Sequence, residues 1–151
     1  MTFKPQGIVL HHSLTKDSAT VSWPAIRDYH VHTKGWLDIG YHFGVELGGS
    51  DYEALVGRPL DIEGAHCPQD SMNSKTIGIC LVGNFDGQPP PMEQLVVLRD
   101  RLMVPLARIF GFPLDLEHVT FHRDHARDGR TCPGKAFTRE LLAALLTKGG
   151  S

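Results

Sequence analysis

The chain has 151 residues, of which 41% are hydrophobic and 21% are charged, and its formal net charge is −2. This length and composition are typical of one globular domain with its own core, so we expect residues 1–151 to form a single domain. We expect the protein to be a monomer. A small negative net charge does not favour binding to nucleic acid or to a membrane surface, so we expect neither as a partner. No apolar run approaches the roughly 20 residues of a membrane span, so we expect no membrane insertion.

The histidine and cysteine contents bear on the chemistry and the compartment of the protein. Three cysteines, an odd and low number, argue against a disulfide framework. Nine histidines exceed expectation for this length and point to metal or proton chemistry. The first residues lack the long apolar stretch and cleavage site of a secretory signal. The sequence thus predicts a protein that is cytoplasmic as synthesised and reaches other compartments only if something releases it.

The first predicted element is a buried strand. Residues 8–10, IVL, are apolar and β-prone, and His11 and His12 follow them. Successive side chains in a strand point to opposite faces, so at most one of these histidines can face a given site. The polar residues 14–20 predict a loop.

A helix and a hairpin are predicted next. Ser22 caps the helix and Gly35 ends it. Residues 38–47 predict a second strand with aromatic and β-branched side chains, and residues 52–56 pair back onto it after a Gly-rich turn. Residues 57–73 form a long segment rich in Gly, Pro and polar residues, and loops of this length are usually functional or mobile.

The second half predicts two strands and two helices. Residues 76–82 are almost continuously apolar and predict a central strand buried on both faces. A long amphipathic helix spans 92–110, and Pro105 should kink it near residue 101. Residues 116–121 predict a short last strand, and an amphipathic helix follows Gly134. Strands that alternate with helices predict an α/β domain, in which about three α-helices flank a central sheet that the hairpin makes mixed.

Three side chains could hold a catalytic zinc ion, which takes about three protein ligands and keeps one position open. His11 and His122 each lie at the end of a predicted strand, and Cys132 lies just before a helix. A nearby metal would lower the pKa of that thiol. From spacing alone, His12 could replace His11, His125 could replace His122, or these residues could be loop histidines and a core thiol with no metal.

A series of short blocks gives the chain a family resemblance. The blocks are IVLHHS at 8–13, GWLDIGYHF at 35–43, GRP at 57–59, GAH at 64–66, NSKTIGICLVGNF at 73–85, HRD at 122–124 and TCPG at 131–134. Any one of them is weak, but in this order they resemble the zinc-dependent N-acetylmuramoyl-L-alanine amidases. That family includes the amidase-type lysozymes of bacteriophages and the peptidoglycan recognition proteins, so the resemblance implies their fold.

The resemblance implies a ligand set and an activity. It makes His11, His122 and Cys132 the ligands of one zinc ion, and thereby selects His122 over His125. It implies hydrolysis of the amide bond between N-acetylmuramic acid and L-alanine, in peptidoglycan or muropeptides. Zinc would polarise the carbonyl and activate water. An endolysin, a prophage enzyme and a recycling enzyme all fit these features.

Further roles follow from the same resemblance. Tyr41 matches a tyrosine that phage-type members place beside the metal, where a phenol can stabilise the tetrahedral intermediate. Another branch uses a glutamate at the position of Cys80, so that base is absent here. Arg130 stands where many members carry a lysine; it can stabilise an oxyanion but is a poor proton donor. Thr131 offers an extra hydroxyl donor.

Two residues of the matched blocks are assigned to the substrate groove. His66, in GAH, is expected to line it. Asn73 is expected at its edge or as a brace for the loop before the central strand. The loop 57–73 is the candidate for one wall of the groove.

Three rival functions remain at this point. A binding module without catalysis is less favoured, because non-catalytic members of the family typically lack the cysteine that is present here. A closed structural zinc site would need His66 or Cys67 as the fourth ligand. A glycosidase would need two carboxylates across a sugar bond, and the candidates cluster around a hairpin turn with nothing to raise one pKa. Those candidates are Glu46, Asp51 and Glu53.

Overall fold

A five-stranded mixed sheet forms the centre of the computed structural model, which describes residues 3–15 and 22–149. The strand order is β3-β2-β4-β1-β5, in which β2, β4, β1 and β5 run parallel and β3 is the antiparallel edge. The predicted mixed sheet, hairpin and central strand are confirmed. Residues 16–20 of the predicted loop lie outside the described residues. The strands are β1 Gly7–His12, β2 Phe43–Gly48, β3 Asp51–Val56, β4 Thr76–Leu81 and β5 Val119–Phe121.

The helices cover both faces of this sheet. The predicted long helix is present, but a π-helical stretch, Leu98–Met103, interrupts it one turn before Pro105, whose ring nitrogen cannot donate a hydrogen bond. No helix within residues 3–15 and 22–149 is long and apolar enough to cross a bilayer. The helices are α1 Trp23–Asp28, continued by the π-helical turn Tyr29–Thr33, α2 Met72–Lys75, α3 Met92–Val97, α4 Val104–Phe110, α5 His122–His125 and α6 Arg139–Gly149.

The second strand begins later than predicted, at Phe43 rather than at residue 38. The preceding backbone makes hydrogen bonds to side chains instead of to a neighbouring strand. The amide of Gly40 donates to His30 Nδ1 at 3.0 Å, and Arg58 Nε donates to the carbonyl of Ile39 at 3.0 Å. The last strand also starts late, at Val119, because a turn precedes it.

The two faces of the sheet have different contents. On one face, Ile8, Leu10, Ile77 and Ile79 pack against α3, α4 and α6 in the main apolar core. The opposite face carries a smaller cluster around Trp23, and His11 and Cys80, which are register partners, point to it. Because β1 and β5 are adjacent and parallel, their carboxyl ends deliver His11 and His122 to one edge.

Candidate metal centre and substrate groove

Three donor side chains converge at this edge of the sheet. His11 ends β1, His122 follows β5 directly, and Cys132 lies in the loop before α6; their donor atoms all lie within 4.8 Å of one another. Cys132 Sγ is 3.8 Å from His11 Nδ1. Ordinary Zn–N and Zn–S bonds at a tetrahedral angle place such a pair about 3.6 Å apart. Two imidazoles and a thiol at this spacing therefore fit a zinc ion and leave one coordination position.

The surroundings of the two histidine donors favour metal binding, whereas those of the cysteine donor oppose loss of its proton. Burial, reinforced by the neighbouring imidazoles of His66 and His122, lowers the pKa of His11 well below its ordinary value. Burial and the Arg130 charge lower the pKa of His122 to about 4, so both imidazoles are neutral near pH 7 and offer lone pairs. Burial raises the pKa of Cys132 to about 11, so the metal-free thiol keeps its proton. The backbone amide of His12 donates to its sulfur at 3.4 Å.

The alternative ligands have other partners. His12 Nδ1 accepts the amide hydrogen of Phe85 at 3.2 Å, on the opposite side of β1. His125 Nδ1 is 2.8 Å from Asp70 Oδ2, and its Nε2 is 2.9 Å from Thr120 Oγ1. The structure thus brings His11 and His122, rather than these neighbours, to Cys132.

The residues proposed as a fourth ligand for a closed site also lie outside the donor group. His66 Nδ1 is 2.9 Å from His11 Nε2, so it contacts a ligand rather than the metal position. Cys67 Sγ is 3.5 Å from Gln69 Oε1. Within the described part of the chain, His11, His122 and Cys132 have no fourth donor side chain beside them. Three protein ligands are typical of a catalytic zinc centre, whereas a closed structural centre has four.

Tyr41 lies beside the donors. Its ring centroid is 5.1 Å from that of His11, and Trp23 stacks on its other side at 6.3 Å. Burial, with the sulfurs of Cys80 and Cys132 close by, raises the pKa of Tyr41 well above its ordinary value. The phenol is therefore protonated, and its hydroxyl has the Cys80 side chain as a hydrogen-bond partner.

The comparisons with known proteins agree with this geometry. Residues 1–135 match the N-acetylmuramoyl-L-alanine amidase family. The chain belongs to this family. The amidase is 40% identical to an endolysin of Klebsiella phage KP32 over 116 residues, which are 74% of this chain and 73% of the phage protein. It is 28% identical to peptidoglycan-recognition protein LB of Drosophila melanogaster over 140 residues, 89% of this chain but 56% of the fly protein.

A solved structure supports the same assignment. The N-acetylmuramoyl-L-alanine amidase LysC from Clostridium intestinale URNW superposes on the amidase with a TM-score of 0.76 at 28% identity, covering 96% of this chain and 87% of LysC. The predicted family, its fold and the enzyme class are confirmed.

Arg130 lies at the mouth of the amidase centre. Its guanidinium forms an ion pair with Asp128, in which Nε lies 3.0 and 3.1 Å from the two carboxylate oxygens. Its Nη1 lies 3.2 Å from His122 Nε2, and a guanidinium can only donate. Arg130 therefore presents a fixed positive charge beside the ligands.

Thr131 and Asn73, two predicted substrate contacts, line the groove. The Thr131 hydroxyl hydrogen-bonds to Asp86 and helps to lower the pKa of that carboxyl. Asn73 Oδ1 accepts the backbone amides of His66 and Cys67, both at 2.8 Å, so Asn73 has the predicted bracing position. Substrate contact by either residue stays a prediction.

Arg123 is a residue of the site that sequence reasoning missed. Its guanidinium donates to the carbonyls of Thr131, Gly134 and Phe137, and its backbone amide donates to the carbonyl of Cys132 at 2.8 Å. It therefore ties the strand end that carries one ligand to the loop that carries another. The HRD block marked the position, but no local pattern indicated its partners.

An open groove of about 1310 Å³ runs past the donors. One wall is formed by the α1 segment with Ile26, Tyr29 and Trp36, and the loop 57–73 contributes Pro68 and Gln69. Gln69 Oε1 reaches within 3.2 Å of His122 Nε2. The predicted wall loop thus borders the groove next to the metal centre.

The carboxylates of the glycosidase alternative do not flank this groove. Glu46 is 1% exposed, and its carboxylate accepts hydrogen bonds from the backbone and hydroxyl of Ser22 and from the backbone of Trp23. Asp51 and Glu53 lie exposed on the edge strand β3.

The side chain of Ser22 does not cap α1 as predicted. Ser22 holds the N-cap position, but its hydroxyl bonds to Glu46 rather than to the helix.

Proposed function

We propose that the chain is a zinc-dependent N-acetylmuramoyl-L-alanine amidase that cleaves the amide between N-acetylmuramic acid and L-alanine in peptidoglycan or muropeptides. The convergence of His11, His122 and Cys132 beside an open groove is the observation that carries this proposal. These three residues would hold zinc, which, when bound, polarises the scissile carbonyl and activates water. One chain supplies all three donors, which supports action as a monomer.

Tyr41 and Arg130 stabilise the charge that develops on the carbonyl oxygen. The phenol of Tyr41 keeps its proton because burial raises its pKa, so it can donate to an oxyanion. Arg130, held by Asp128, adds a fixed cation next to His122. A guanidinium stays charged and is a poor proton donor, so Arg130 acts as an electrostatic group rather than a general acid.

The groove orients the scissile bond over the donors. The groove accepts the saccharide on one side of this bond and the stem peptide on the other. Thr131, Asn73 and His66 line the groove and contact the substrate there. The likeness to phage endolysins supports action on the cell wall once the protein is released from the cytoplasm.

Mass spectrometry of digested peptidoglycan tests this function. The purified protein is incubated with cell walls as isolated, after chelation, and after zinc is added back. We expect stem peptides with a free L-alanine amino group and glycan with intact N-acetylmuramic acid, lost on chelation and restored by zinc. New reducing ends would instead indicate a glycosidase. Zinc binding without release of L-alanine amino groups would indicate a binding module.

A further inference from the structure

His66 lies directly behind the candidate ligand His11. The His11 Nε2 atom is 2.9 Å from His66 Nδ1, and the two rings meet edge to face at 87°. On its far side, His66 Nε2 faces the carbonyl oxygen of Thr76 at 3.4 Å. Both rings are buried, with exposures of 1% for His11 and 6% for His66.

This chain of contacts fixes where the protons lie. A carbonyl oxygen only accepts, so His66 carries its proton on Nε2 and donates it to Thr76. The Nδ1 atom of the neutral His66 ring is then an acceptor, and His11 Nε2 must be the donor. His11 consequently has no proton on Nδ1, the atom that lies 3.8 Å from Cys132 Sγ.

The surroundings hold His66 in this orientation. Asn73 Oδ1 accepts the backbone amide of His66 and so fixes the start of its side chain. Gly78, in β4, provides the space for the ring, since a Cβ atom there would come within 2.5 Å of His66 Cγ. The position is therefore built around an imidazole.

We infer that His66 is a positioning residue, which holds His11 in the tautomer whose Nδ1 is free to bind the metal. The inference rests on the proposed zinc function, but the tautomer it requires exists before metal binds. Ligating histidines usually donate their second N–H to a carboxylate, a carbonyl or water. A neutral imidazole performs that task here without placing a negative charge behind the ion. Of the three proposed ligands, only Cys132 would then carry a negative charge.

Two measurements test the inference. Long-range ¹H–¹⁵N spectra of the metal-free protein near pH 7 should show His11 as the Nε2–H tautomer. Zinc dissociation constants are then compared, by chelator competition, for the wild type, His66→Leu and His66→Asn. Leucine removes the acceptor, and asparagine replaces Nδ1 by an amide oxygen at the same branch of the side chain.

We expect His66→Leu to bind zinc about 10–100-fold more weakly and His66→Asn to recover most of that loss. An Nδ1–H tautomer of His11 in the wild type would overturn the inference, as would equal zinc affinity of a folded His66→Leu protein. Wild-type protein that binds no zinc would refute the proposed function instead. The tautomer measurement would then decide the positioning role by itself.

Discussion

Replacing Glu46 by alanine tests how the α1 wall of the groove is held. The Glu46 carboxylate, in the middle of β2, accepts hydrogen bonds from the backbone and hydroxyl of Ser22 and, at 3.0 Å, from the backbone of Trp23. These are the first amides of α1, which have no partner inside the helix. The side chain therefore joins the helix start to the sheet.

The size of the effect follows from the donors left behind. Without the carboxylate, two backbone amides lose their acceptor, and each unsatisfied buried donor costs about 1–3 kcal/mol. Ser22 is only half-buried, so water can replace part of the loss there. We expect Glu46→Ala to lower the free energy of unfolding by about 2–4 kcal/mol. For a domain of this size, that lowers Tm by roughly 5–15 °C.

Thermal and urea unfolding measure this change, and the chain offers a matched control. Glu53 is the cross-strand partner of Glu46, but it is exposed on β3. We expect Glu53→Ala to change stability by less than about 0.5 kcal/mol. Glu46→Gln, which keeps one acceptor oxygen, should fall between the two. Equal losses for Glu46→Ala and Glu53→Ala would refute the role given to the Glu46 carboxylate.

Four further predictions concern the metal centre. Cys132→Ser should fold but lose zinc and activity; stoichiometric zinc in the purified variant would exclude Cys132 as a ligand. Tyr41→Phe should keep zinc and lower kcat about 100-fold, whereas an unchanged kcat would remove the phenol from the reaction. Burial raises the pKa of metal-free Cys132 to about 11, so zinc must displace its proton, while His122, with a pKa of about 4, is already neutral. The zinc association constant should therefore rise about tenfold per pH unit between about pH 5 and 9, and chelator competition that shows no slope would contradict this. Arg123→Lys should lower Tm and weaken zinc binding, because lysine cannot bond three carbonyls, and Arg127→Lys, at an exposed ion pair, should do neither.

The positions of His11 and His122 at the ends of strands could be predicted from the local sequence pattern. His11 and His122 each follow an apolar β-prone run, and parallel neighbouring strands place such ends at one edge. Choosing His122 over His125 needed the family resemblance, because both lie in the same polar segment. The structure separates them physically, since both nitrogens of His125 face other side chains.

Contacts between distant parts of the chain could not be predicted from pattern. Glu46 accepts hydrogen bonds from the start of α1, and Arg123 donates to three backbone carbonyls. Neither set of contacts follows from the hydrophobic periodicity of the sequence. The histidine surplus was ambiguous for the same reason. His12, His30 and His42 use Nδ1 to accept backbone amides, so they brace loops and strands. The number of histidines in the sequence does not distinguish these structural imidazoles from the ligands of a metal centre.

The strand order also sets when the centre can assemble during synthesis. β1 is translated first but lies between β4 and β5, so both of its neighbours arrive later. His11 and Cys132 are 121 positions apart, and contacts at such separations close late in folding. A nascent chain therefore carries its first donor long before its last. The proposed metal centre is therefore complete only in chains whose translation has passed Cys132.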